Sequence, residues 1–202
     1  MGVNPATGYI YVTNGDSNNV TVISGTHVLT TLPVGASPGG VGVNPATGYA
    51  YVANSGSDNV TVISGTSIVA TLAVGDSPVA VGVSPSTGYA YVVNRGSHSV
   101  TVISGTGVAA TLPTGSYPYA IGVNPTSGYV YIVNPGSDDV TVIFGTSVVT
   151  TLAVGRVPSA VDVDPTTGYV YVANRQSRSI TVISEGKVGH DIRLPLILKN
   201  SK

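Results

Sequence analysis

The sequence contains no cysteine and no tryptophan, and only 8% of its 202 residues are charged. Without cysteine, the chain forms neither a disulfide nor a thiolate metal site. Soluble proteins usually have about 25% charged residues, so solubility here must come from serine, threonine, asparagine and glycine. The formal net charge is -1 and no basic stripe runs along the chain. We therefore expect no nucleic-acid partner.

Long apolar runs are also missing. No stretch approaches the roughly 18 apolar residues of a membrane-spanning helix, so we expect no membrane span. The first residues, 1–5, have neither the basic nor the apolar region of a signal peptide. Because they also lie inside a repeat, we interpret the chain as a trimmed or partial form of a longer protein, whose signal peptide is not in this sequence.

What the sequence does contain is a repeat of forty residues in five copies. The segment 2–9 returns, with few changes, at 42–49, 82–89, 122–129 and 162–169. No insertion or deletion interrupts this period. Fixed-period repetition of this length is typical of solenoids, propellers and other arrays.

Each copy holds four strand signals. In the second copy they are residues 49–54, 59–64, 67–74 and 79–84, which are rich in valine, isoleucine, threonine and tyrosine. Turn-forming residues separate them, and no stretch has a helical period. Connections this short favour antiparallel neighbours.

Four short antiparallel strands in about forty residues predict an all-β fold, a β-propeller of five four-stranded blades. The predicted single domain covers residues 1–202, with blades at 2–41, 42–81, 82–121, 122–161 and 162–202. The fourth strand signal is expected to be innermost, because small residues such as Gly42, Ala80 and Gly82 suit the crowded axis. A parallel β-solenoid is the alternative, although its coils need fewer turns.

A second motif carries a family resemblance. Tyr11-Val12-Thr13-Asn14 returns in each copy, at 51–54, 91–94, 131–134 and 171–174. Over essentially its whole length the chain resembles the YVTN-repeat family of β-propellers. The resemblance implies a propeller, an extracellular location in a cell-surface or surface-layer protein, and no single activity.

Two features depart from that family. The chain has five copies where family propellers often have seven blades, and no terminal blade built from both chain ends is visible. An incomplete or open ring would expose an apolar blade face at each end, which would favour self-association. The last copy diverges after Ser184. Its tail is interpreted as an altered outer strand that caps the array or, alternatively, as an anchoring or sorting segment.

Differences among the copies point to a candidate binding face. The loops at 15–18 and 36–38 and their equivalents vary, and we expect them to share one face, where loops on a rigid scaffold usually bind ligands. Blades one and two carry Asp16, Asp58 and Asp76 there. The candidate ligand-binding residues are Arg95, His98, Tyr117, Tyr119, Arg156, Arg175 and Arg178, together with Asp162. Asp162 replaces an inner-strand glycine and could be hydrated in a channel or contact a ligand.

Catalytic and metal-binding signatures are missing. The three histidines, His27, His98 and His190, occupy unrelated repeat positions, and no phosphate loop, nucleophile elbow or zinc motif is present. We therefore predict no catalytic residue, metal or cofactor. The favoured hypothesis is a non-enzymatic binding or scaffold module for protein or glycan at the cell surface. The alternatives are a propeller-type lyase or hydrolase with its site on the loop face, and a fragment of a larger propeller.

Overall fold

The computed structural model describes residues 1–185, and residues 192–199 as backbone only. Its regular structure is entirely β, in five sheets of four strands each, and strands adjacent in the chain are adjacent in each sheet. Every strand pairing in the described chain is antiparallel, as in Tyr51 opposite Val62 and Gly42 opposite Tyr51. The predicted class and the four-stranded blades are confirmed, and the solenoid alternative is wrong because each sheet contains only consecutive antiparallel strands.

The strands are numbered β1 to β20 in chain order. The inner strands are β1 (Gly2–Val3), β5 (Pro38–Val43), β9 (Pro78–Val83), β13 (Ala120–Val123) and β17 (Pro158–Val163). The second strands are β2 (Tyr9–Asn14), β6 (Tyr49–Asn54), β10 (Ala90–Asn94), β14 (Val130–Asn134) and β18 (Val170–Asn174). The third strands are β3 (Asn19–Ser24), β7 (Asn59–Ser64), β11 (Ser99–Ser104), β15 (Asp139–Phe144) and β19 (Ser179–Glu185). The outer strands are β4 (His27–Pro33), β8 (Ser67–Ala73), β12 (Gly107–Pro113), β16 (Ser147–Ala153) and β20 (Ile192–Lys199).

Blade boundaries differ slightly from the repeat boundaries. The inner strand of blade two begins at Pro38 rather than at Gly42, because the residues just before the repeat motif already pair with β6. Each sheet therefore begins four residues or fewer ahead of the predicted blade. Blade one has an inner strand of two residues. The divergent tail supplies β20, which pairs with β19, so residues 192–199 form an outer strand as the capping interpretation predicted.

Small residues allow the inner strands of successive blades to approach closely. A Cβ atom on Gly40 would lie 2.8 Å from the Cα of Ala80, and one on Gly42 would lie 2.7 Å from Cγ1 of Val81. Real Cβ atoms essentially never come that close. The predicted innermost position of these strands is confirmed, and glycine is required where two backbones nearly touch.

The core lies between blades. Valine, alanine and tyrosine side chains from one sheet pack against valine and isoleucine of the next, as in the cluster of Tyr51, Val62, Val92 and Ile103. A single blade could not bury both faces, so each blade depends on its neighbours, as in other repeat proteins. The fold therefore consists of four blade-to-blade junctions in series.

Candidate functional site

The variable loops do share one face of the molecule. The loop that enters an inner strand lies on the β2–β3-type loops of two successive blades. The Ser37 N–H donates to Oδ1 of Asn18 in blade one at 2.9 Å, and the Ala36 N–H donates to Oγ of Ser57 in blade two at 2.9 Å. We call this surface the loop face. Loops of successive blades on this face are joined to one another by hydrogen bonds.

One loop position has a structural duty that the sequence analysis missed. Asn18, Asp58, His98, Asp138 and Arg178 all have positive φ, between 51° and 57°. In the first four blades the side chain accepts a backbone N–H from the next inner-strand loop: Asp58 from Ser77 at 2.8 Å and Asp138 from Val157 at 2.7 Å. In these four blades the position holds only Asn, Asp or His, all of which accept hydrogen bonds and tolerate positive φ. That restriction is the sequence signal from which this structural role could have been predicted.

His98 fills this position in blade three. Its Nδ1 accepts the N–H of Tyr117 at 2.8 Å, and its ring meets the Tyr117 ring edge-on, with centroids 4.7 Å apart. His98 therefore holds the loop that presents Tyr117. This contact gives His98 a positioning role, which the prediction of a ligand-binding histidine did not include.

A central cleft joins blades three, four and five on the loop face. It has a volume of about 260 Å³, and its lining includes Arg95, Tyr119, Pro158 and Arg175. The Arg95 guanidinium carbon lies 5.9 Å from the Tyr119 ring centroid, within the range of a cation–π contact. Three of the predicted residues thus line one concave site.

Two further clefts adjoin the central one. The first, of about 410 Å³, is lined by Ser55, Ser77, Val79, Arg95, Gly96 and Tyr117. The second, of about 260 Å³, is lined by Ser159, Ala173, Asn174, Arg175, Arg178, Ser179 and Ile180. Arg95 belongs to the first and central clefts, and Arg175 to the central and second clefts. The three clefts therefore adjoin one another in a row on the loop face, and we call this row the loop-face groove.

The groove is cationic. Arg95, Arg175 and Arg178 line it, and in the described part of the chain none of them forms an ion pair. Among the residues that the structure describes, no carboxylate lines any of the three clefts. Tyr117 and Tyr119 expose 55% and 49% of their surface. Guanidinium groups and tyrosine rings are therefore available to a ligand.

Three predicted residues lie outside the groove: His98, which lies beside it, Arg156 and Asp162. Arg156 is exposed on the loop face, where its N–H donates to Ser177 Oγ at 3.0 Å, but it lines none of the three clefts. Asp162 lies within β17 and is exposed. The glycines equivalent to it, such as Gly122, face the inner strand of the next blade. Asp162 therefore projects from the side of blade five on which a following blade would pack, which we call its end face, rather than from the loop face.

The face opposite the loops carries conserved junction contacts. The hydroxyl of Tyr51 donates to the Gly105 carbonyl of the next blade at 3.0 Å, and that of Tyr91 donates to the Gly145 carbonyl at 3.1 Å. At the last junction the Tyr131 hydroxyl donates to Glu185 Oε1 at 2.6 Å instead. The first tyrosine of the YVTN-like motif therefore links each blade to the next by a hydrogen bond. We call Tyr11, Tyr51, Tyr91 and Tyr131 the latch tyrosines.

The latch environment changes the tyrosine pKa values. Burial, and then the neighbouring Tyr49, raise the pKa of Tyr51 to about 12. Burial also raises the pKa of Tyr131, and the Glu185 carboxylate raises it further. On the same face, the Asp164 carboxylate accepts the Thr166 N–H at 2.8 Å, as in an Asx-turn. Its pKa is lowered by the Thr167 hydroxyl first and by this N–H second.

The described residues contain neither a metal-ligating cluster nor a membrane-spanning helix. Within them, no group of three or more His, Asp or Glu side chains is placed to hold a metal ion. None of the described residues form a helix long and apolar enough to cross a bilayer. His190 lies outside the described residues.

Comparisons with known proteins identify the fold. Virginiamycin B lyase from Staphylococcus aureus, as an inactive His-to-Ala variant with quinupristin, superposes with a TM-score of 0.77 at 12% identity, over 100% of this chain and 69% of that one. A functionally unknown protein from Desulfotomaculum acetoxidans gives 0.71 at 14% identity, over 98% and 70%. A putative 6-phosphogluconolactonase from Bacteroides uniformis gives 0.70 at 15% identity, over 94% and 70%.

The fold is a β-propeller. No model of a known protein family matches the sequence, and no curated protein matches it. At 12–15% identity the structural matches show the fold alone. Those propellers have seven blades, and five blades covering 69% of such a chain give a propeller arc with the curvature of a sevenfold ring.

The arc leaves both end faces uncovered. On blade five, Tyr171 exposes 41% and Ile180 47% of their surface, whereas the equivalent Tyr131 and Val140 expose none. On blade one, Val3 exposes 53%. The expectation that an open arc would expose an apolar blade face at each end is confirmed for the described residues.

Proposed function

We propose that this chain is a non-enzymatic binding module of a cell-surface or surface-layer protein, and that it binds protein or glycan in the loop-face groove. The observation that carries the proposal is the adjacency of the three clefts that make up the groove. Residues that differ between otherwise near-identical repeats, Arg95, Tyr117, Tyr119, Arg175 and Arg178, line adjoining clefts on one face. Rigid blades with variable loops are a common binding architecture.

The chemistry of the groove supports binding rather than turnover. General acid–base catalysis needs titratable groups within reach of a substrate. The histidine beside the groove, His98, uses Nδ1 to accept a backbone N–H, and the described residues that line the groove include no carboxylate. The surface location rests on the resemblance of the repeated Tyr-Val-x-Asn motif to YVTN propellers and on the low charge content.

The test is a glycan array and a surface-protein array probed with the wild-type chain and with an Arg95→Ala/Tyr117→Ala variant. We expect ligands bound by the wild type to be lost by the variant. Thr166→Ala, on the opposite face, is the matched control and should keep binding. Unchanged binding by the double variant would remove the loop face from consideration, and chemical conversion of a bound ligand, seen by mass spectrometry, would favour the lyase or hydrolase alternative.

The end faces support a second partner, another copy of this chain. Tyr171 and Ile180 form an exposed apolar face on blade five, and such faces favour association. We expect light scattering to show a mass that rises with protein concentration, and Ile180→Lys to reduce that rise. A strictly monomeric wild type at all concentrations would contradict this proposal.

A further inference from the structure

We propose that the loop-face groove binds a linear anionic polysaccharide, with a carboxylate-bearing sugar at Arg95 and another at Arg175. This inference rests on the proposed binding function and names the chemical class of its ligand. It depends on three features of the groove: where its cations lie, how its clefts connect, and what its walls can stack against or hydrogen-bond.

The cations mark the two points where the clefts meet. Arg95 is shared by the first and central clefts, and Arg175 by the central and second clefts. Within the described residues, neither guanidinium forms an ion pair with a carboxylate. A guanidinium presents a planar fork of donors that matches a carboxylate in bidentate geometry. Two such sites along one groove fit a ligand that carries negative charge at intervals.

The volume of the clefts favours a thin polymer over a compact ligand. The central and second clefts hold about 260 Å³ each and the first about 410 Å³, so two are smaller than the roughly 300–1,000 Å³ of small-molecule pockets and one lies in the lower part of that range. A groove made of three connected shallow clefts can instead hold successive units of an extended chain. A polymer also gains by engaging two sites at once, because the second contact becomes intramolecular.

The walls favour sugar over peptide. The half-exposed rings of Tyr117 and Tyr119 offer flat apolar surfaces with a polar edge. Ser55 and Ser159 donate to the Ser37 and Ala173 carbonyls, so their hydroxyl oxygens, like that of Ser77, can accept from sugar hydroxyls. Peptide anchors, by contrast, usually fill deep and fully desolvated pockets. None of these three clefts is such a pocket, so the groove suits an acidic glycan better than an acidic peptide.

Four probes separate the ligand classes in one biosensor experiment with the full chain. They are polygalacturonate, neutral dextran, polyglutamate and a single-stranded oligonucleotide, compared at equal ionic strength. We expect polygalacturonate to bind best and dextran to bind at least tenfold more weakly. Dextran binding as well as polygalacturonate would overturn the anionic assignment. Tighter binding of polyglutamate or of the oligonucleotide would overturn the assignment to a glycan.

Variants then assign the site. Arg95→Ala/Arg175→Ala should weaken polygalacturonate binding at least tenfold, and the double lysine variant should restore only part of it, because lysine keeps the charge but lacks the fork. Arg156→Ala is the matched control: it removes the same charge from the same face, outside the groove, and should change binding less than twofold. An equal loss with Arg156→Ala would overturn the site, since it would show attraction by overall charge alone.

Asp76 provides a further check. It lies beside Gly96, where a Cβ atom would meet the Asp76 Cβ at 3.0 Å, so its carboxylate is near the first cleft. Asp76→Asn should strengthen binding of the anionic probe or leave it unchanged, and a loss of binding would contradict the proposal. If none of the four probes binds while the arrays reveal another ligand lost with Arg95→Ala/Tyr117→Ala, the polysaccharide assignment fails and the proposed function stands.

Discussion

The junction between blades four and five and the free face of blade five are built from almost the same residues in different surroundings. Tyr131 is fully buried at the junction, whereas its equivalent Tyr171 is 41% exposed. Gly122 faces the close inner strand of the next blade, whereas its equivalent is the exposed Asp162. The comparison shows that burial in this fold is a property of a blade's neighbour rather than of its own sequence.

The same comparison explains where the fifth copy departs from the repeat. Asp162 occupies the inner-strand position at which the other blades have glycine. Glycine is needed at that position only when the inner strand of a following blade packs against it. Arg178 stands where Asn18, Asp58, His98 and Asp138 accept an N–H from the following loop. Both substitutions occur in blade five, which has no following blade in the described chain. Residues at these two positions therefore need neither pack against a next inner strand nor accept a hydrogen bond from a next loop.

Alkaline pH should give the largest effect, because it acts on every junction together. The pKa is raised above 10 for the four latch tyrosines, Tyr11, Tyr51, Tyr91 and Tyr131. The folded state therefore favours the neutral phenol. The resulting stability is complete below pH 10 and is lost as pH rises through the folded pKa, about 12 for Tyr51.

The measurement is the urea midpoint from pH 8 to 12, with tyrosinate absorbance followed in parallel. We expect the midpoint to fall above pH 10, with the latch tyrosines ionising only as the fold is lost. Ionisation of all twelve tyrosines in one step near pH 10, with the fold intact, would contradict the latch assignment.

Gly82→Asp transfers the terminal residue to an interior junction and should give the largest effect of a single substitution. A Cβ atom on Gly82 would lie 2.7 Å from Ile121 Cδ1, and the carboxylate would enter a half-buried junction between inner strands. Overpacking and the partly desolvated carboxylate each cost about 1–3 kcal/mol. The reciprocal Asp162→Gly should change stability by less than about 0.5 kcal/mol, as exposed positions usually do. Equal effects in urea unfolding would break the comparison between junction and end face.

Glu185→Ala tests the last junction, where a carboxylate replaces the backbone acceptor used elsewhere. Glu185 Oε1 accepts from Tyr131, from Asn124 Nδ2 at 3.0 Å and from Ser127 Oγ at 3.0 Å. Leaving buried donors without an acceptor costs about 1–3 kcal/mol. Glu185→Gln retains a carbonyl acceptor and should recover most of that stability in thermal unfolding. Identical melting of the alanine variant and the wild type would rule out this role.

His98→Ala should give the smallest effect, about 1 kcal/mol, because it removes one hydrogen bond to the Tyr117 N–H. His98→Asp should keep the native stability, since Asp58 and Asp138 fill the same position. Arg178→Ala, at the terminal equivalent, should have almost no effect. Chemical unfolding of the three variants checks the order, and a destabilising Arg178→Ala would contradict the distinction between interior and terminal loops.

The fold was largely predictable because the physical signal is repeated. Five copies each show four β-rich segments with turn residues between them, so an error in one copy would have been corrected by the others. The small residues at Gly42 and Gly82 also indicated which strand is innermost. The blade boundaries were less predictable, because pairing of β5 with β6 begins at Pro38, before the visible motif.

The candidate site was predicted only in part. Variation among the copies located the loop face and the residues Arg95, Tyr119 and Arg175, which do line one cleft. The same reasoning could not distinguish a position that varies freely from one that varies only among residues able to make a required hydrogen bond, such as the position of His98. It also grouped Asp162 with the loops, because its position on an end face depends on the absence of a neighbouring blade in the described arc.

The sequence by itself determined the blade: the strand periods, the turn residues, the glycines at the crowded positions and the tyrosine that recurs every forty residues. These are local properties, set by backbone geometry and side-chain volume within one repeat. Only the tertiary structure decided which of two identical surfaces is buried, that the arc stays open, and that three clefts join into one groove. Those outcomes depend on the angle and contact between successive blades, which no single repeat encodes.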